Sequence, residues 1–77
     1  MIKDKLKQIF KLKNITASQV AVHLGTTPQS LSNKFSRNTL LVSELIEIMD
    51  FLDCDIVINP RPGFSIKLTL DDVEKEE

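Results

Sequence analysis

Seventy-seven residues, 42% of them hydrophobic, suit one folded domain near the size at which a single core only just suffices. No apolar run is long enough to span a membrane, and the basic start from Met1 to Lys13 lacks the apolar stretch and small-residue cleavage site of a secretion signal. One cysteine excludes an internal disulfide, one histidine leaves no metal cluster, and a reducing cytoplasm fits. The net charge of −1 argues by itself against a nucleic-acid binder, but its distribution argues the other way. Residues 1–38 carry seven Lys/Arg and one acid, whereas residues 39–77 carry three Lys/Arg and ten acids. A basic half beside an acidic one points to a polyanion-facing surface with an acidic opposite end.

Ile2, Leu6, Ile9 and Phe10 are spaced to share one apolar face, which predicts a first helix over residues 2–13. Lys3, Lys5, Lys7, Lys11 and Lys13 surround it, read singly as a solvated surface and together as a field that draws in phosphate. Asn14 and Ile15 form the connection, with Ile15 placed as a hydrophobic staple before the next helix. Thr16 and Gln19 make a T-x-x-Q capping box, so a second helix is predicted over 17–24. Val20 and Leu24 give it an apolar face, and Ala21 is small enough for another helix to cross close by. Gly25 can take positive φ where that helix ends. Thr27 is a good N-cap and Pro28 suits a first helical position, which predicts a third helix over 28–36. Leu31 and Phe35 form its inward stripe; Gln29, Ser32, Asn33 and Ser36 form an uncharged hydrogen-bonding face, with Arg37 at the end.

Two short helices joined by a tight turn can present the second one to the major groove of DNA. Gln29 and Asn33 lie one turn apart, and an amide offers the donor and acceptor that adenine N7 and N6 require. For each amide alone, a solvated helix face is the plain alternative. Ala21, Gly25 and Leu31, together with the run LGTTPQSL, resemble the lambda-repressor-like helix-turn-helix family of Cro/cI or XRE type, over residues 3–53. The resemblance implies that Thr27, Gln29 and Asn33 face the operator and that Thr16 and Ser30 approach phosphates. Lys34, Arg37 and the first-helix lysines are expected to add salt-dependent affinity. Three positions depart from the family pattern: Ala17 and Pro28 stand where glutamines commonly contact phosphate and base, and Lys34 stands at a usually apolar position.

A fourth helix is predicted over 41–53. Ser43, Glu44, Glu47 and Asp50 are its polar positions. Val42, Leu45, Met49 and Leu52 are expected to pack on the helix-turn-helix, while Leu41, Ile48 and Phe51 form a second apolar line. Residues 55–59 and 64–70 read as strands separated by the turn formers Pro60, Arg61, Pro62 and Gly63, so a β-hairpin is predicted on the fourth helix. Phe64, Ile66, Leu68 and Leu70 alternate onto one side of it. A lone hairpin leaves both edges exposed, which makes those four residues the candidate homodimer interface. Some small regulators of the resembled family pair through a C-terminal strand, and the similarity implies the same here. DDVEKEE, residues 71–77, reads as a disordered acidic tail.

His23 is expected to be solvated and Cys54 to be a small packed residue. The sequence has no Ser/His/Asp set, no Gly-rich phosphate loop and no paired acids, so no catalytic residue, cofactor or metal site is expected and no enzyme. The expected fold is mostly α: a four-helix lambda-repressor-like helix-turn-helix domain over residues 1–70 with a C-terminal β-hairpin. The expected function is a sequence-specific transcriptional regulator, a phage-type or mobile-element repressor that binds double-stranded DNA as a cytoplasmic homodimer, without membrane or small-molecule ligand. The alternative is a protein-interaction module, of antitoxin or anti-repressor type, using the acidic second half. A ligand-responsive regulator is a further rival, for which the small size leaves little room for a pocket.

Overall fold

A computed structural model describes residues 2–61 and 63–73. The elements run α1 (Ile2–Lys13), α2 (Ala17–Leu24), α3 (Pro28–Arg37), α4 (Val42–Phe51), β1 (Ile56–Ile58), β2 (Ile66–Leu68) and a single 3-10 turn at Leu70–Asp72. The fold is therefore mostly helical with one small antiparallel hairpin. Its contacts divide it into two compact units, Met1–Leu41 and Val42–Glu77.

In the first unit each helix contributes two buried residues at helical spacing: Leu6 and Phe10 from α1, Val20 and Ala21 from α2, Leu31 and Phe35 from α3. Helix α3 packs against both α1 and α2. Ala21 and Val20 are completely buried, as a close approach between α2 and α3 requires. The Phe10 and Phe35 rings meet at 6.1 Å between centroids and 54° between planes, a tilted pair of the kind aromatic quadrupoles favour. Ile9 is half-buried and Ile2, the first residue of α1, is exposed.

The helices end alike. After α1, Ile15 N–H donates to Phe10 C=O and Asn14 N–H to Lys11 C=O; after α2, Thr26 donates to Ala21 and Gly25 to Val22; after α3, Thr39 donates to Lys34 and Asn38 to Phe35. α4 finishes the same way through Cys54 to Met49 and Asp53 to Asp50. Each is a Schellman closure, which needs one left-handed residue. Asn14 (φ 58°), Gly25 (φ 73°), Asn38 (φ 56°) and Asp53 (φ 57°) supply it, and asparagine and aspartate are the side-chain-bearing residues that tolerate that region best. A Cβ at Gly25 would meet no atom within 4 Å, so its glycine is required by backbone conformation rather than by space. Gly25→Ala is accordingly expected to lower stability by about 1 kcal/mol, and Gly25→Asn by less. Urea unfolding measures both; two equal losses would mean that crowding, not φ, sets the cost.

In the second unit Ile46, Ile48, Met49 and Leu52 are buried, and Leu45 and Phe51 are half-buried. Val42, expected to be packed, is instead 64% exposed, and Leu41 before it is exposed too. Val42 is in helical register with Ile46 and Met49 but is the first residue of α4, so its side chain lies past the covered part of that face. The hairpin pairs Ile56 with Leu68, Val57 with Lys67 and Ile58 with Ile66. Pairing is shorter than the predicted strands, and Pro60, which has no N–H to donate, closely follows β1. Lys67 Nζ lies 3.5 Å from Asp55, an exposed ion pair of little energetic weight.

Asp71 and Asp72, the first residues of the expected disordered tail, lie in the 3-10 turn instead. Thr69 Oγ1 accepts from Asp71 N–H, and Asp72 accepts from the Thr69 N–H at 2.8 Å, which closes a capping box on the 3-10 turn. That turn packs against α4. Residues 74–77 of the expected tail, and Pro62 of the expected turn, lie outside the described residues. Among the described residues no helix is long and apolar enough to cross a membrane.

Candidate nucleic-acid interface

The local chemistry of the segment Thr16–Arg37 follows from its caps. Thr16 Oγ1 accepts from Gln19 N–H at 3.2 Å, and Gln19 Oε1 accepts from Thr16 N–H at 2.8 Å. The Thr16 hydroxyl proton also turns to Gln19 Oε1, at 3.3 Å. Thr27 repeats the pattern at the head of α3: its Oγ1 accepts from Ser30 N–H at 3.1 Å and donates to Ser30 Oγ at 3.0 Å. The two threonines expected to touch DNA thus spend their hydroxyl protons within the chain. Ser30 is the residue of the N-terminal turn of α3 whose hydroxyl accepts there, leaving its own proton to give outward. Losing the Thr27 cap should cost about 1 kcal/mol whatever else that residue does.

Gln29, Ser32, Asn33, Ser36 and Arg37 are all exposed along α3, on the side away from buried Leu31 and Phe35. The structure links two of them: Gln29 Nε2 donates to Asn33 Oδ1 at 3.4 Å. Lys34 is half-buried, as an alkyl stem covering apolar surface would be. Lys5, Lys7, Lys11 and Lys13 are exposed and Lys3 half-buried on α1. Thr39, Leu40 and Leu41 are uncharged, so the change in sign along the sequence falls at the boundary between the two compact units. The unit Met1–Leu41 therefore holds seven Lys/Arg and one acid.

The four hairpin residues expected at a dimer interface are not equivalent. Antiparallel partners share a face, so Ile56, Ile58, Ile66 and Leu68 lie together. The Ile56–Leu68 pair is half-buried, Ile58 and Ile66 are each 49% exposed, and Phe64 is 67% exposed. Cover over this apolar face declines toward the turn, and Leu70, at the start of the 3-10 turn, is exposed as well. Cys54 is half-buried, its Sγ 3.6 Å from Leu52 C=O. His23 is exposed on α2. An open depression of about 640 Å³, lined by Glu47, Leu70, Asp71 and Val73, lies within the second unit; two of its four lining residues are carboxylates.

Leu12 and Val22 were given no role by the sequence, and they are the most exposed large apolar side chains of the described residues. The only signal for them is negative: neither falls in register with the buried stripe of its helix. Compared with known proteins, the chain matches no family model, no curated protein and no solved structure.

Proposed function

We propose that this protein is a sequence-specific DNA-binding regulator of lambda-repressor-like helix-turn-helix type, a repressor of phage or mobile-element kind acting as a homodimer. The observation that carries this reading is the exposed amide and hydroxyl face of α3, set in a unit that holds seven Lys/Arg and a single acid. Such a face suits base edges, which are read by paired donors and acceptors, and such a field suits phosphate, which is held by charge. In this reading α3 enters the major groove. Gln29 and Asn33 meet base edges, with Thr27 beside them chiefly as the cap that holds the first turn in place. Ser30 and the Gln29 N–H at the head of α3 approach a phosphate, Thr16 stands at the head of α2, and Lys34, Arg37 and the α1 lysines supply the remaining attraction. The hairpin face, open at Phe64 and Ile66 and half-covered at Leu68, together with exposed Leu70 on the turn that follows, is the surface through which two copies would pair.

Selection of random duplex DNA by the purified protein, with sequencing of the retained pool, tests the reading. The expected result is an inverted repeat whose half-sites lie about one helical turn apart. Retention of nothing above background by folded protein would overturn it. That outcome would favour a protein-interaction module built on the second unit, which carries ten of the eleven acids.

A further inference from the structure

We propose that Gln29 and Asn33 act as one reading unit, in which their mutual hydrogen bond fixes what each amide offers, so that Gln29 is set for adenine and Asn33 for a neighbouring guanine or thymine. The inference deepens the regulator reading above and rests on it.

The link is the 3.4 Å bond from Gln29 Nε2 to Asn33 Oδ1 across one turn of α3, between two exposed side chains. Counting donors and acceptors gives its consequence. Gln29 gives up one N–H and keeps its other N–H together with Oε1. A bidentate contact with adenine needs one N–H for N7 and one carbonyl oxygen for the N6 amino group, both on the same amide. Gln29 retains that pair. Asn33 turns its carbonyl toward Gln29 and keeps both Nδ2 hydrogens for whatever lies ahead. An edge dominated by donors fits bases that present acceptors in the major groove: guanine through O6 and N7, or thymine through O4. It mismatches cytosine, whose major-groove group is itself a donor.

In water such a bond is weak, since solvent competes for both partners. At an interface that excludes water, linked polar groups polarise one another and the bond gains weight. Asn33 therefore positions Gln29 in addition to making its own contact. Independent amides would each choose their donor or acceptor face freely; linked ones cannot.

The test is base preference at two adjacent positions of the selected site, measured for the natural protein, Gln29→Ala, Asn33→Ala, Asn33→Asp and the double alanine variant. Gln29→Ala should cost about tenfold discrimination at the adenine position, the scale of one good amide contact. Asn33→Ala should lower discrimination at both positions, with the adenine preference falling about threefold or more, the size of effect expected of residues sharing one network. Asn33→Asp keeps an acceptor for Gln29 Nε2, so it should restore the adenine preference while moving the neighbouring position to cytosine. Asn33→Ala with an unchanged adenine preference, or single substitutions whose effects simply add, would overturn the proposal while leaving the regulator reading intact. A natural protein that selects no sequence overturns both. Side-chain amide NMR of the free protein reads the link without DNA: Asn33→Ala should shift the Gln29 Nε2 proton resonances upfield, as loss of an acceptor does, and Asn33→Asp should shift them downfield, as a carboxylate acceptor does, whereas unmoved resonances in Asn33→Ala would remove the bond on which the inference depends.

Discussion

Phe35→Ala is expected to lower stability by about 3–5 kcal/mol, the range for removing a buried aromatic ring from a core. Phe35 is 5% exposed on α3 and meets Phe10 of α1, so its removal leaves a cavity where two helices join and also cancels the ring pair. A chain of 77 residues has roughly 4–12 kcal/mol of total stability at the usual 0.05–0.15 kcal/mol per residue, so this variant stands close to unfolding. Thermal unfolding should show a fall of more than about 12 °C, whereas Ser36→Ala, one residue on and exposed, should shift it little. Phe35→Leu, which keeps most of the volume, should fall between the two. A double-mutant cycle with Phe10→Ala should return about 0.5–1.5 kcal/mol of coupling for the rings. A Phe35→Ala loss below ~1 kcal/mol would mean that α1 and α3 do not meet as described.

The second large effect is on binding. Under the proposed function, affinity for duplex DNA should drop about a thousandfold between ~50 and ~200 mM salt, the loss expected when roughly six phosphates are neutralised. In a homodimer that number needs only about three phosphate contacts from each copy, well within the seven Lys/Arg of the first unit. Arg37→Ala and Lys34→Ala should each reduce the slope of log affinity against log salt by about one and weaken operator and random DNA alike. A Gln29 substitution should instead leave the slope unchanged and affect the preferred sequence alone. Fluorescence anisotropy over a salt series separates the two behaviours. A flat series would show that the basic unit meets no polyanion.

What the sequence made legible was set by near neighbours. A capping box at Thr16 and Gln19, an N-cap and proline at Thr27 and Pro28, and Gly25 between them each involve residues within a turn of one another, and so the ends of α2 and α3 could be placed from the letters alone. The hairpin was legible for a similar reason, since its turn formers and alternation are local signals. Exposure was harder. Val42 belongs by period to a buried face, yet whether the first residue of a helix is covered depends on chain distant in sequence. The capped turn at Leu70–Asp72 was obscured by charge composition, which suggested solvation and hid the fact that Thr69 and Asp72 stand at capping distance. At the candidate site the residue types were visible in advance, but not that Thr16 and Thr27 would use their hydroxyl protons internally, nor that Gln29 would bond Asn33. Those depend on rotamers, which residue spacing does not specify.

The coincidence of the charge boundary with the boundary between compact units also governs how the protein behaves as a solute. At pH 7 its total charge is −1, so copies have almost no orientation-averaged repulsion to keep them apart. Each nevertheless has one compact unit with an excess of positive charge and one with an excess of negative charge, and in colloidal terms it is an unevenly charged particle rather than a neutral one. Encounters between copies are attractive in some orientations and repulsive in others. The range of both is the Debye length, about 30 Å at 0.01 M salt and about 8 Å at physiological ionic strength. Dilute buffer, usually the gentler choice for a folded protein, is therefore the medium in which this one is most prone to cluster.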